Sequence, residues 1–154
     1  MSKAKDIAQR ITERLSSIRS AAGYQTDAGL NVFRGRKAVP ELPALILFEP
    51  EDLVEGQAAD GSGSHAGSAV NAQILLPFDI QALAECDPAQ HMTTGHALVA
   101  DIKRALFGGD MRWGGLATHT RYIGRSIEPR TDGDTTVSVM VQIRVGVVED
   151  LARP

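Results

Sequence analysis

Two kinds of periodicity divide the chain into elements. Near the N-terminus Ala4, Ile7, Ala8, Ile11, Leu15, Ile18 and Ala22 recur at three- and four-residue spacing. That spacing predicts a helix with one apolar stripe, and Lys5, Arg10, Glu13, Arg14 and Arg19 mostly fall off it. Gly23 is placed to end the helix, because glycine enters the left-handed region without steric cost. A turn, Gln25-Thr26-Asp27-Ala28-Gly29, leads to a short strand expected over Leu30 to Arg34. Residues 35–43 hold Gly35, Pro40 and Pro43 and read as a loop. Ala44-Leu45-Ile46-Leu47-Phe48 is a continuous apolar run, the pattern of a strand covered on both faces.

Residues 51–70 change character. They begin acidic and pass into Asp60-Gly61-Ser62-Gly63-Ser64-His65-Ala66-Gly67-Ser68, which cannot bury enough surface to offset the entropy of ordering it. A flexible loop or long hairpin tip is expected there. Ile74 to Ile80 returns to strand character, interrupted by Pro77, which lacks a ladder donor and so predicts an edge strand or a bulge. Asp87-Pro88-Ala89-Gln90 is a helix start, with a cap, a first-turn proline and a capping-box partner. That helix should run to about Phe107, with Leu98, Val99, Ile102, Ala105 and Leu106 inward, and stop at Gly108-Gly109.

A strand is expected near His119–Ile127, and Thr131-Asp132-Gly133-Asp134 is a hairpin signal. The last strand is the clearest. Thr135, Val137, Val139, Val141, Ile143, Val145 and Val147 alternate with Thr136, Ser138, Met140, Gln142, Arg144 and Gly146, as in a long half-buried antiparallel strand. The order is α-β-β-β-α-β-β. It predicts a single domain spanning 1–154, of α+β class, with helices packed on one face of a mostly antiparallel sheet.

Composition narrows the function classes. The 154 residues are 43% hydrophobic and 23% charged, which is ordinary globular material, and the formal net charge of -3 gives no global basic field for nucleic acid. Cys86 is the only cysteine, so neither an intramolecular disulfide nor a multi-cysteine zinc site is expected, and a reducing cytoplasm suits it. No apolar run approaches the roughly 20 residues of a membrane span, and residues 1–15 lack the apolar core of a signal peptide.

Candidate chemistry is sparse. His91 and His96 lie about 140° apart on a helix and lack the glutamate and spacing of a zincin. Cys86 sits between Glu85 and Asp87, whose charges oppose thiolate formation. The 61–67 glycines lack the lysine and hydroxyl ending of a phosphate loop. Glu149-Asp150 are strand neighbours that point to opposite faces. No catalytic residue, cofactor or metal site is expected. Two features bear on assembly. Arg34-Gly35-Arg36-Lys37 is a basic cluster, read either as a solvated turn or as a contact. Met111-Arg112-Trp113-Gly114-Gly115-Leu116 holds the one tryptophan beside an arginine, read either as an interface residue or as a core plug over the sheet edge.

Taken in order, several segments resemble the tail terminator and tail completion proteins of long-tailed phages and prophages. They are Ala21-Ala22-Gly23-Tyr24-Gln25-Thr26-Asp27-Ala28-Gly29, then Val32-Phe33-Arg34-Gly35-Arg36 and Leu42-Pro43-Ala44-Leu45. They continue through 101–107, Trp113-Gly114-Gly115-Leu116-Ala117, Tyr122-Ile123-Gly124-Arg125 and 147–154. The resemblance implies a non-enzymatic protein that forms a hexameric ring on the finished end of the tail tube, stops tube growth and presents a surface for head joining. It implies the major tail tube protein and a head completion or connector protein as partners. DNA would pass through the lumen without sequence-specific binding. The place of action is the virion tail, assembled in the host bacterial cytoplasm, with no membrane partner. Arg34, Arg36 and Arg125 are then candidates for the lumen or a ring interface, and Trp113 for an interface. A head–tail connector or neck protein is the rival within the same biology, and a small ligand-binding or enzymatic α+β domain is the rival outside it.

Overall fold

The computed structural model describes residues 2–35, 41–59, 70–129 and 131–154. It is an α+β fold in which two helices cover one face of a mostly antiparallel sheet. The elements are α1 (Lys3–Ser16), β1 (Val32–Arg34), β2 (Ala44–Phe48), β3 (Leu53–Ala59), β4 (Val70–Glu85), α2 (His91–Phe107), β5 (His119–Ile127) and β6 (Thr136–Asp150).

The sheet is built on β4 and β6, which pair antiparallel without a register shift from Asn71↔Asp150 to Glu85↔Thr136. Period-two alternation sends Ala72, Ile74, Leu76, Phe78, Ile80, Ala82 and Ala84 of β4 to the same face as Val137, Val139, Val141, Ile143, Val145 and Val147 of β6. The helices meet that face with Ile7, Ile11 and Leu15 of α1 and Leu98, Ile102 and Leu106 of α2, all fully buried. Core and helix layer are therefore one unit, and among the described residues the other face of the sheet carries no helix.

The expected order lacks one strand. Leu53–Ala59, placed in the 51–70 loop by its polar composition, pairs antiparallel with Val70–Leu75, and a bulge at Glu55 breaks its alternation. The remainder of that loop, 60–69, lies outside the described residues. β2 and β3 run in the same direction along one edge of β4 and amount to one strand interrupted by Glu49-Pro50-Glu51-Asp52.

That interruption accounts for Pro77, which lies in neither an edge strand nor a bulge. Cys86 N–H donates to Thr135 O and Val70 O accepts from Leu151 N–H, so even-numbered residues of β4 bond toward β6 and odd-numbered ones toward β2 and β3. Pairing on that second side covers 70–75 and 79–83 and skips Leu76–Phe78. The nitrogen of Pro77 faces the gap, where no ladder bond is lost.

The first helix is shorter than its stripe. It stops at Ser16, where the Ser16 and Ser17 hydroxyls donate to the Glu13 and Arg14 carbonyls at 2.6 Å, although Ile18 remains buried. Gly23, at φ +90°, instead closes a separate turn over Ser20–Ala22. Asp87 caps a 3-10 turn at Pro88–Gln90, accepting from Ala89 N–H, and α2 follows directly.

Candidate assembly surface

Trp113 is fully buried, which corrects its reading as an interface residue. Its loop shows why. Asp110 accepts from Arg112 N–H at 2.9 Å and Gly114 N–H at 2.7 Å, and these bonds hold the carboxyl below its ordinary pKa. The turn places Trp113, Gly114 and Gly115 at φ +55°, +71° and +86°, so the indole points inward. Its Nε1 donates to Thr120 Oγ1 at 2.9 Å, and the Arg14 guanidinium lies 3.9 Å from the ring centroid. Arg14 also donates to the Leu106 and Asp110 carbonyls, and burial lowers its pKa against the opposing charge of Asp110. Trp113 is thus the core plug, bolted between α1 and β5.

The basic residues are dispersed. Arg34 is exposed on β1 and pairs with Glu49 at 3.1 Å. Arg125 is exposed on β5 at the far edge of the sheet, so the two do not share a site within one copy. Arg36 lies outside the described residues.

Several residues that carry structure were not singled out by sequence. Asp101 is almost fully buried on α2, and its carboxylate accepts from Gln25 N–H at 3.0 Å, Thr26 N–H at 2.7 Å and Thr26 Oγ1 at 2.7 Å. One turn on, Arg104 donates to Gly23 O at 2.7 Å and lies over the Tyr24 ring. The segments 21–29 and 101–107 therefore clamp each other. Their signal was present in the run 101–107, where an aspartate falls among inward-facing apolar positions.

The face without helices carries a trough of about 430 Å³. Pro50, Glu51 and Leu53 form one wall, Pro77, Asp79, Gln142 and Arg144 form the floor, and Ile123, lifted out of β5 by a bulge, forms the other wall. Burial and the neighbouring Glu49 carboxylate push Asp52 above its ordinary pKa, so this wall is crowded with negative charge. Arg121 of β5 reaches across to Glu55 of β3 at 3.5 Å. Beside it the His119 ring lies flat on Gly146, with Nδ1 against Thr118 Oγ1 at 2.9 Å and a buried Nε2 that has no hydrogen-bond partner among the described residues. Among the described residues no three His, Cys, Asp or Glu side chains gather to hold a metal ion, and no helix is long and apolar enough to cross a membrane. The single thiol, Cys86, is half-buried at the margin of the core.

These surfaces combine exposed strand edges, mixed charge and apolar side chains. No family model matches the chain. No curated protein matches it either. Among solved structures, its fold is similar to that of a chain in the virion of a native gene transfer agent (GTA) particle, with a TM-score of 0.53 and 14% identity over 90% of this chain and 92% of the other.

Proposed function

We propose that this chain is a non-enzymatic structural protein of a phage-type virion. In this reading it caps the tail tube as a hexameric ring, ends tube polymerisation and forms the surface for head joining. The observation that carries the reading is the fold, shared over nine-tenths of both chains with a component of a gene transfer agent virion. The ordered resemblance of segments 21–29, 101–107 and 113–117 to tail terminators points the same way, and these segments build the helix layer. The partners are further copies of this chain, the major tail tube protein and a head completion or connector protein, with DNA passing through the lumen unread. The site of action is the virion tail, assembled in the bacterial cytoplasm.

A ring is made by one heterologous contact whose rotation closes on itself. Among the described residues the chain offers two different sheet edges for such a contact, one at β5 and the other made by β1 and β3. The neck-protein reading uses the same fold and differs only in which partner the ring seats on. Deleting the gene in a particle-producing genome separates the two. A terminator leaves headless tails of uncontrolled length, a neck protein leaves headless tails of normal length, and intact particles would contradict both.

A further inference from the structure

Among the described residues three strands have an open edge: β1 and β5, at the two ends of the sheet, and β3, which pairs with β4 below the β2–β1 pair. On β5, Thr118 N–H and Glu128 N–H bond toward β6, so the alternate backbone groups between them face outward, where no strand lies among the described residues. On β3 the side away from β4 is likewise unpaired among the described residues. An open edge is a template for another strand.

The two edges are chemically opposite. Residues 49–55, the start of β3 and the segment before it, hold Glu49, Glu51, Asp52 and Glu55 and no cation; Glu49 and Glu55 pair with Arg34 and Arg121 of the same copy, which leaves Glu51 and Asp52 to face a neighbour. Residues 119–127 hold Arg121 and Arg125 and no acid. Each edge also exposes large apolar side chains: Leu53 and Val54 are 40% and 64% exposed, and Tyr122 and Ile123 are each 42% exposed. Direction fits as well. β3 runs antiparallel to β4, and β5, two antiparallel steps away, runs parallel to it. Copies related by rotation about an axis roughly along the strands would therefore bring β5 of one against β3 of the next in the antiparallel sense. The strands are also staggered: β3 lies beside β4 residues 70–75, while β5 is level with 75–82 through β6. Closing a sheet into a barrel requires a stagger of this kind.

We propose that the β5 edge of one copy pairs with the β3 edge of a second copy, so that a continuous antiparallel sheet runs from subunit to subunit. This rests on the ring reading only in that it supplies the joint of that ring, and the partner is the chain itself. Glu51 and Asp52, just before β3, meet Arg125 of the neighbour, and Leu53 and Val54 pack beside Tyr122 and Ile123. Exposed charge pairs are screened by salt, so association weakens as ionic strength rises.

The test uses two full-length variants, R125E and E51K/D52K, with circular dichroism as the check on folding. Sedimentation equilibrium at low salt should give wild-type oligomers and at least tenfold weaker association for either variant alone. An equimolar mixture should recover, because the acidic β5 edge of one variant then faces the basic 51–52 edge of the other, and the basic β5 edge of the second faces the acidic 51–52 edge of the first. If a double variant fails to fold, the single pair R125E and D52K is read the same way. A monomeric wild type, unchanged association of the variants or a mixture that does not recover would each overturn the joint. Oligomers that obey the charge pattern but leave tube growth unaltered would keep the joint and remove the capping role.

Discussion

At the scale of single residues, the fold depends on a few close approaches. Gly29 donates to Ile18 O at 2.9 Å, and a Cβ there would lie 2.6–2.8 Å from the carbonyl oxygens of Leu15, Ser16 and Ile18. These oxygens belong to the backbone at the end of α1 and cannot swing aside. Gly29→Ala should therefore destabilise the protein by about 2 kcal/mol, the range of overpacking, as read by urea denaturation. Trp113→Ala removes a fully buried indole and its bond to Thr120, so a loss of about 3–5 kcal/mol is expected. An unchanged melting temperature for that variant would return Trp113 to the surface.

Two exposed carboxylates set the response to acid. Backbone and side-chain bonds from Ser20 lower Asp27, and backbone bonds from Gly114 and Arg112 lower Asp110. A depressed folded pKa contributes stability that is present above the unfolded value of about 3.9 and lost as pH falls through the folded value. Denaturation midpoints of wild type should fall on acidification below about pH 4. Those of D27N/D110N should start lower and fall less steeply over that window.

At the scale of elements, strong periodicity made most of the fold legible. The last strand, α2 following the Pro88–Gln90 turn, and the 44–48 run are all where alternation, capping residues and apolar runs place them. The misses share one cause, pairing supplied by distant sequence. β3 has adjacent Leu53 and Val54, a bulge at Glu55 and small polar residues beyond, so it shows no period of its own; the long β4 beside it makes it a strand. The period-two signal of β4 was hidden because Leu75, Pro77 and Leu83 place apolar side chains on the face without helices too. Pro77 looked like an edge residue because sequence cannot show that a central strand has a three-residue gap on one side. Since its nitrogen faces that gap, Pro77→Ala should change stability by less than about 1 kcal/mol, and a larger loss would mean that the gap is filled. The candidate site was less legible. Arg125 lies on a usable edge, whereas a lone tryptophan between glycines looks alike from sequence whether it plugs a core or meets a partner.

For the whole molecule, the net charge of -3 conceals a polarised surface. Glu51 and Asp52 stand at the 49–55 edge and Arg125 at the β5 edge, an arrangement that favours head-to-tail over face-to-face contacts between copies. With one face of the sheet covered by helices and the other open, such contacts would leave the open face directed the same way in every copy. The proposed capping role requires every copy to present the same surface to the tube. The most direct test of that claim is to titrate the purified chain into growing tail tubes and follow tube length by electron microscopy. The account predicts that growth stops at substoichiometric amounts, with a ring visible at the arrested end. Tubes that lengthen at the same rate with no density at their ends would contradict it.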